Sequence, residues 1–208
     1  ESFLSHLAVQ CHCAPSTQKT ALNALVFLYR EFLNTTVDGI RPIVPKKKPK
    51  VPQVLSHQEA LSVMAHLQDH YLLVVQLLYG AGLRLNEGLR LRVKDIDFAI
   101  GVIFVRQGKG GVDRRTLLPF ALKSRLEKQV EYVKNLHQLD SGSGLSGVYM
   151  PNALAKKFPS APRSLGWQFL FPAQLPSKDP RSGEMRRHHI MDSTVQKQIR
   201  AAVKKAGV

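Results

Sequence analysis

An arginine that follows a long apolar stretch is the first group in this sequence that could do chemistry. The segment Leu77–Asp97 reads LLYGAGLRLNEGLRLRVKDID, and its Gly-Leu-Arg turn presents Arg84. Glu87 stands three residues later, about one helical turn on, where its carboxylate can orient the guanidinium. A guanidinium is a planar fork of donors that suits two oxygens of one phosphate, so we expect Arg84 to be aimed inward as a phosphate ligand. A surface ion pair between Arg84 and Glu87 explains the local sequence equally well.

The second such group is Lys109, which lies among glycines in QGKGGVDRR. Glycine tolerates the positive φ of tight turns, so GKGG between the runs DFAIGVIFVRQ and DRRTLLP predicts a β-hairpin with Lys109 at its tip. A lysine there can donate a proton to a leaving oxygen or bind a phosphate. The segment does not match the Walker A pattern, which needs Gly-x-x-x-x-Gly-Lys-Ser/Thr.

Two short clusters contain residues that ligate metals, namely Cys11-His12-Cys13 and the RRHH segment, residues 186–189. They lie far apart in sequence, and neither has the two-group ligand spacing of a zinc module. We therefore predict no metal site and no cofactor. The cysteines are too close for an ordinary disulfide staple, which fits a reducing compartment.

These groups must be positioned by a mainly helical chain. Residues 1–38 predict part of a small helical domain, with Ser16 as the N-cap of a helix over residues 16–33. One face of that helix carries Leu22, Leu25, Val26, Tyr29 and Phe32 at helical spacing. Residues 39–55, which contain GIRPIVPKKKPKVP, predict an extended basic linker because prolines and lysines cannot form a core.

Residues 56–208 predict a second domain. Ser56 and Glu59 have the spacing of a capping box, and helices are expected from there to about residue 91. The hairpin follows, then a long helix over residues 121–139 and a final helix over residues 193–206. Between these two helices, residues 140–190 are rich in Gly, Ser and Pro. The predicted fold class is mainly α with a small antiparallel β-hairpin or sheet (α+β).

Charge is the dominant compositional signal. Thirty Lys and Arg face fifteen Asp and Glu, a formal net charge of +15. Such a balance favours a polyanionic partner, most often nucleic acid, although ribosomal and other basic proteins share it. No stretch approaches the roughly 18 apolar residues of a membrane span, so a membrane role is not expected.

Together, GLRLNE and GKGGVDRRTLLP resemble the segments that carry the first catalytic arginine and the β-hairpin lysine of the tyrosine recombinase family. The resemblance covers nearly the whole chain, including the helical N-terminal part, the basic linker and the VLSHQEA opening. It implies catalytic roles for Arg84 and Lys109, with Glu87 in support. It further implies a DNA partner, a homotetramer on DNA when full length, a bacterial cytoplasmic, nucleoid-associated location, and no metal or ATP.

Residues 140–190 resemble the insertion that distinguishes integron integrases within that family. In that subfamily the insertion helps to recognise bases that protrude from a folded, single-stranded cassette site. The resemblance also implies binding to duplex attachment sites. The resemblance implies base contacts by Trp167, Pro180, His188 and His189. The flat apolar face of an indole suits base stacking, although Trp167 could equally be a core anchor. Further DNA contacts are expected from the basic residues Lys46, Lys47, Lys48, Arg114, Arg115, Arg186 and Arg187.

The family's second arginine lies in a His-x-x-Arg motif, and its nucleophile is a late tyrosine. None of the eight histidines is followed three places on by arginine, and the five tyrosines all precede residue 150. We therefore expect a fragment truncated at both ends that cannot cleave DNA alone. The competing interpretations are an ordinary phage-type integrase, a non-catalytic DNA-binding protein, and an RNA-binding or ribosomal protein.

Overall fold

The computed structural model describes residues 2–35, 53–106, 112–145 and 147–208. The chain divides into two compact units, Glu1–Val54 and Leu55–Val208. Lys109 and the linker lysines Lys46, Lys47 and Lys48 lie outside the described residues.

The first unit contains helices α1 (Ser2–Val9) and α2 (Pro15–Phe27), and a π-helical turn, Leu28–Phe32, continues α2. The helix begins one residue before Ser16, because Pro15 has the fixed φ suited to a first helical position and Ala14 is the N-cap. The predicted apolar face is only partly packed. Tyr29 is 42% and Phe32 79% exposed, so the end of that face is open to solvent.

The second unit begins with α3 (His57–Ala65), and the predicted capping box is present at its start. The Ser56 hydroxyl accepts a hydrogen bond from the Glu59 amide at 3.2 Å, and the Ser56 amide donates to the Glu59 carboxylate at 2.7 Å. Helix α4 (Asp69–Ala81) then ends at Gly82, which has a left-handed φ of 62° that glycine adopts without steric cost. Helix α5 (Leu85–Leu89) follows directly.

The predicted hairpin is present as β2 (Val102–Val105) and β3 (Arg114–Leu117). A third, two-residue strand, β1 (Ile96–Asp97), extends it to an antiparallel sheet of order β1-β2-β3. After the sheet come α6 (Lys123–Gly142), α7 (Asn152–Lys157) and α8 (Asp192–Ala206). The mainly helical fold class with small antiparallel sheets is confirmed.

The predicted insertion, residues 140–190, contributes directly to the core of the second unit. A short antiparallel pairing joins it to the segment after α5, since the Leu170 amide donates to the Leu91 carbonyl at 2.8 Å and the Val93 amide donates to the Gln168 carbonyl at 3.0 Å. A hairpin of β4 (Ser177–Lys178) and β5 (Met185–Arg186) completes the segment. Fully buried residues of this core are Val74, Leu77, Leu89, Ile103, Leu126, Leu170, Phe171 and Val195.

Within the part of the chain that the structure describes, no helix is both long enough and apolar enough to cross a membrane.

Candidate functional site

Arg84 caps the N-terminus of α5 and is paired with Glu87 in two ways. The Arg84 amide donates to Glu87 Oε2 at 2.9 Å, and Arg84 Nη1 donates to Glu87 Oε1 at 2.9 Å. The Arg84 side chain is 59% exposed, whereas that of Glu87 is 7% exposed. The expectation that Arg84 is aimed inward is therefore wrong. The buried group is the Glu87 carboxylate, and the Arg84 guanidinium forms a salt bridge with it from the protein surface.

A second arginine shares the same carboxylate. Arg114, on β3, donates from Nη1 to Glu87 Oε1 at 2.9 Å and from Nη2 to Glu87 Oε2 at 2.8 Å, a bidentate pair. Its Nη2 also lies 3.3 Å from the Gly82 carbonyl, and the Thr116 hydroxyl donates to the Ala81 carbonyl at 2.9 Å. The sheet is thereby fastened to the turn that presents Arg84. We call Arg84, Glu87 and Arg114 the arginine–glutamate triad.

The arginine–glutamate triad has a net positive charge because its carboxylate is ionised and is outnumbered by two guanidinium groups. The hydrogen bonds from Arg114 are the main cause that lowers the pKa of Glu87 to about 2, with the Arg84 amide and guanidinium adding to the effect against the opposing influence of burial. The same contact raises the pKa of Arg114. Two guanidinium groups and one carboxylate carry a net charge of +1 at neutral pH. The exposed Arg84 guanidinium can therefore bind an anion that approaches from solvent.

Two further basic residues of the β2–β3 hairpin, Arg115 and Lys109, are predicted from the sequence to contact DNA. Arg115 is exposed on the opposite face of β3 from Arg114, and its guanidinium carbon lies 5.3 Å from the ring centroid of Phe104, its cross-strand neighbour. Lys109 belongs to the connection between β2 and β3, outside the described residues.

Trp167 is half-buried, and cations lie against its ring. Lys94 Nζ lies 2.8 Å from the ring centroid, and the Arg92 guanidinium carbon lies 5.3 Å from it. Arg92 donates to the backbone carbonyls of Trp167 and Tyr149, the latter at 2.9 Å. Burial lowers the pKa of Arg92. Its two hydrogen bonds join the backbone at Trp167 to the backbone at Tyr149.

His188 and Arg181, the residue after Pro180, both contact Tyr149. Pro180 is exposed in the turn between β4 and β5. The neighbouring Arg181 donates from Nη1 to the Tyr149 hydroxyl at 2.9 Å. The Tyr149 ring stacks on His188, with centroids 6.5 Å apart and an interplanar angle of 29°.

His189 is half-buried, and its ring is engaged within the chain. Its Nδ1 lies 2.7 Å from the Ile190 carbonyl, and its ring meets Phe169 edge-on at 5.1 Å. Burial is the main cause that lowers the pKa of His189. The neutral imidazole is therefore favoured at this position.

The two arginines before the histidines are engaged within the chain. Arg187, 11% exposed, binds Asp140 through Nε at 2.6 Å and Nη2 at 2.7 Å. Arg186, 16% exposed, pairs with Asp179 and Glu184 and donates to the Val148 carbonyl at 3.2 Å. This geometry favours a structural role for both over the DNA contacts expected from the sequence.

Comparison with known proteins gives the family. Residues 53–208 match the phage integrase family, and residues 1–38 match its N-terminal SAM-like domain. The chain belongs to the phage integrase family of tyrosine recombinases.

The chain is similar to several integrases and recombinases. An integrase/recombinase from Escherichia coli and one from Pseudomonas aeruginosa are each 41% identical over 209 residues, covering 100% of this chain and 62% of the relative. Tyrosine recombinase XerA of Thermococcus kodakarensis is 32% identical over 132 residues, covering 62% of this chain and 46% of the relative. A crystal structure of XerA recombinase covers 99% of this chain and 60% of its own, with 24% identity and a TM-score of 0.47. The chain spans about six-tenths of the length of the Escherichia coli and Pseudomonas aeruginosa relatives.

Two features of the candidate site were not predicted from the sequence. The sequence predicts Arg114 as a DNA contact, which stays a prediction, and gives no sign of its pairing with Glu87. Alternation along β3 signals that Arg114 and Thr116 share a face, but the partner 27 residues earlier leaves no local signal. The sequence also gives no sign of Lys94 and Arg92 around Trp167. Among the described residues, no three His, Cys, Asp or Glu side chains group in a way that could bind a metal.

Proposed function

We propose that this chain is part of a site-specific DNA recombinase of the integron integrase type, which integrates and excises cassettes by cleaving and rejoining DNA strands. The observation that carries the proposal is the arginine–glutamate triad. An exposed arginine fork anchored on a buried carboxylate is suited to binding a phosphate in one orientation. Family membership supports recombination as the reaction that uses this phosphate.

In the proposed reaction a tyrosine hydroxyl attacks the scissile phosphate. The new O–P bond forms a 3′-phosphotyrosyl link, the tyrosine gives up its proton, and the P–O5′ bond breaks to leave a 5′-hydroxyl. Arg84 stabilises charge on the non-bridging oxygens, and Lys109 donates a proton to the leaving 5′ oxygen. Because the bond energy is stored covalently, the reaction needs neither metal nor ATP.

The chain supplies only part of this machinery. Its 208 residues contain no His-x-x-Arg motif and no tyrosine after residue 149. We therefore propose that this polypeptide binds DNA but does not cleave it alone. In a longer protein, four copies would assemble on two sites in the bacterial cytoplasm, associated with the nucleoid.

Residues 140–190 are proposed to read protruding bases of a folded single-stranded site. Half-buried Trp167, exposed Pro180 and half-buried His188 support the proposal because each can offer part of a ring face to a base. His189 lies deeper and is proposed to contact DNA through the rim of its ring. Duplex attachment sites would be bound mainly through the backbone, by Lys46, Lys47, Lys48 and Arg115.

Binding measurements test the base-reading proposal. The chain would be titrated with a hairpin that has protruding bases, with the same hairpin without them, and with the matching duplex. We expect preference for protruding bases, and Trp167→Ala should remove it because each base stacked on an aromatic ring is worth roughly 1–3 kcal/mol. Phe158→Ala, which removes a 45% exposed aromatic ring from the same segment, is the matched control.

The outcomes separate the alternatives. Equal binding to all three DNAs, unchanged by Trp167→Ala, would favour an ordinary phage-type integrase or a non-catalytic DNA-binding protein. Preference for RNA of the same shape would favour the RNA-binding class. Affinity for duplex should fall with salt, with a log–log slope of about −0.9 for each phosphate contacted.

The role of Arg84 needs a protein that also carries the His-x-x-Arg and nucleophile segments. There, Arg84→Ala and Arg84→Lys should prevent the covalent 3′-phosphotyrosyl complex from forming, because lysine keeps the charge but lacks the planar fork. Binding to duplex should change little. Normal cleavage by Arg84→Ala would remove the catalytic assignment.

A further inference from the structure

One face of Trp167 is already occupied in the free chain. Lys94, in the 3-10 turn Val93–Asp95, places its Nζ 2.8 Å from the centroid of the Trp167 ring. The lysine begins close to the residue before the tryptophan, since a Cβ built on Gly166 would lie 3.5 Å from Lys94 Cβ. The ammonium is thus held over the centre of the indole.

The surroundings explain why the ammonium lies there. The nearby carboxylate of Asp95, 4% exposed, binds Arg106 Nε at 2.8 Å and the Arg92 amide at 3.0 Å. Burial lowers the pKa of Lys94, and the positive charges of Arg106 and Arg92 lower it further against the opposing effect of the Asp95 carboxylate. Within the described part of the chain, the Lys94 ammonium has no carboxylate at ion-pair distance. The electron-rich indole face lies directly against the ammonium and adds to the longer-range attraction of the Asp95 carboxylate.

This arrangement conflicts with base stacking on the same face. A base stacked on an aromatic ring lies about 3.5 Å above it, in van der Waals contact, and would overlap an ammonium at 2.8 Å from the centroid. The base and the ammonium cannot share the face. One must leave before the other binds.

We propose that Lys94 is a specificity-determining residue that covers the base-stacking face of Trp167 in the free protein and is displaced by a protruding base. The inference rests on the proposed base-reading function of Trp167. A cation over an indole and a base stacked on it have similar strengths, so the exchange is nearly balanced. A base that stacks weakly on the indole fails to displace the ammonium. Only protruding bases that can stack fully on the Trp167 ring bind there.

Replacement of the lysine by methionine tests the exchange. Lys94→Met keeps an unbranched apolar stem and removes the charge that competes for the face. We expect the hairpin with protruding bases to bind about two- to tenfold more tightly, which is the cost of displacing a cation from an indole. The hairpin without protruding bases should bind as before. Lys197→Met, at an exposed site on α8, makes the same chemical change away from Trp167 and should not improve the preference.

Fluorescence gives a direct readout, because Trp167 is the only tryptophan of the chain. Quenching of its emission by a stacked base should begin at lower DNA concentration in Lys94→Met than in the unchanged chain. Lys94→Gln also removes the charge and should likewise increase the affinity for the hairpin with protruding bases. This second variant keeps the test valid if Lys94→Met fails to fold.

Failure of this inference differs from failure of the proposed function. If Trp167→Ala abolishes the preference for protruding bases but Lys94→Met and Lys94→Gln leave it unchanged or weaken it, Lys94 does not cover the face. If Trp167→Ala leaves the preference unchanged, the base-reading function is itself refuted.

Discussion

Replacing the acceptor of the arginine–glutamate triad should destabilise the second unit. In Glu87→Gln, an amide NH₂ would face at least one of the guanidinium groups that now bind a carboxylate oxygen. Arg114 would lose its bidentate partner, and the Arg84 amide would lose a charged acceptor. The substitution keeps side-chain size, so the expected loss is electrostatic rather than a loss of packing.

The magnitude follows from the pKa of Glu87. The pKa falls from 4.5 to about 2, and each pKa unit is worth about 1.4 kcal/mol, which gives an upper value of about 3.4 kcal/mol. Arg84 and Arg114 are 59% and 35% exposed, so water and salt weaken both pairs. We therefore expect Glu87→Gln to lower the free energy of unfolding by about 2–3 kcal/mol at pH 7.

The pH dependence has a defined sign. Because folding depresses the pKa of Glu87, its contribution is complete above the unfolded-state pKa of 4.5 and is lost as the pH falls from there toward about 2. At pH 3.5 the difference between the unchanged chain and Glu87→Gln should have shrunk by about 1 kcal/mol. Other carboxylates titrate in both proteins and cancel in this difference.

Urea denaturation followed by Trp167 fluorescence measures the effect. Trp167 lies in the unit Leu55–Val208 and is the only tryptophan, so the signal reports that unit alone. Urea is uncharged and leaves ion pairs unscreened. Glu131→Gln is the matched control, since Glu131 is 59% exposed and pairs only at the surface with Lys134; it should change stability by less than about 0.5 kcal/mol. A pH-independent difference for Glu87→Gln, or one no larger than that of the control, would refute the reasoning.

Three further substitutions should lower stability in ways that urea midpoints can check. Arg187→Ala leaves the 17% exposed Asp140 without its bidentate partner and should cost about 3 kcal/mol, and a loss below 1 kcal/mol would contradict a structural role for this arginine. Gly82→Ala forces a side chain into a φ of 62° and should cost about 1 kcal/mol, whereas Gly142→Ala, in open space, should not destabilise. Ser56→Ala removes the capping hydroxyl of α3 and should cost about 1 kcal/mol, and an unchanged midpoint would mean that the cap contributes nothing.

Much of the fold was predictable because its signals are local. The capping box at Ser56, the glycine that ends α4, and the glycine-linked hairpin each depend on a few neighbouring residues. Strand β1 was missed because two residues carry no detectable alternation. Ser16 predicts a start for α2 that is too late, because Pro15 already has the fixed φ of a first helical position.

The triad and the surroundings of Trp167 were less predictable because they depend on distant pairings. The motif GLRLNE correctly predicts the pairing of Arg84 with Glu87, but the predicted inward orientation of the Arg84 side chain is wrong. The carboxylate is the buried group because it accepts hydrogen bonds from two arginines, both of which stay more exposed. The predicted insertion looked loop-like from its Gly and Pro content. The alternation of Trp167, Phe169 and Phe171 nevertheless predicts that the two phenylalanines face a core. Both are buried, together with Leu170, because this run pairs with the segment after α5.

The pairing between Leu91–Val93 and residues 168–170 has a consequence for the proposed reaction. Helix α5, which Arg84 caps, ends only two residues before this pairing begins, and Trp167 immediately precedes its other strand. Arg92 adds a hydrogen bond to the Trp167 carbonyl from the same segment. The group proposed to bind the phosphate and the group proposed to bind a protruding base are therefore joined by short, hydrogen-bonded backbone. A base stacked on Trp167 would set which phosphate along the strand can reach Arg84, so recognition of the base and choice of the cleaved bond would be one geometric event.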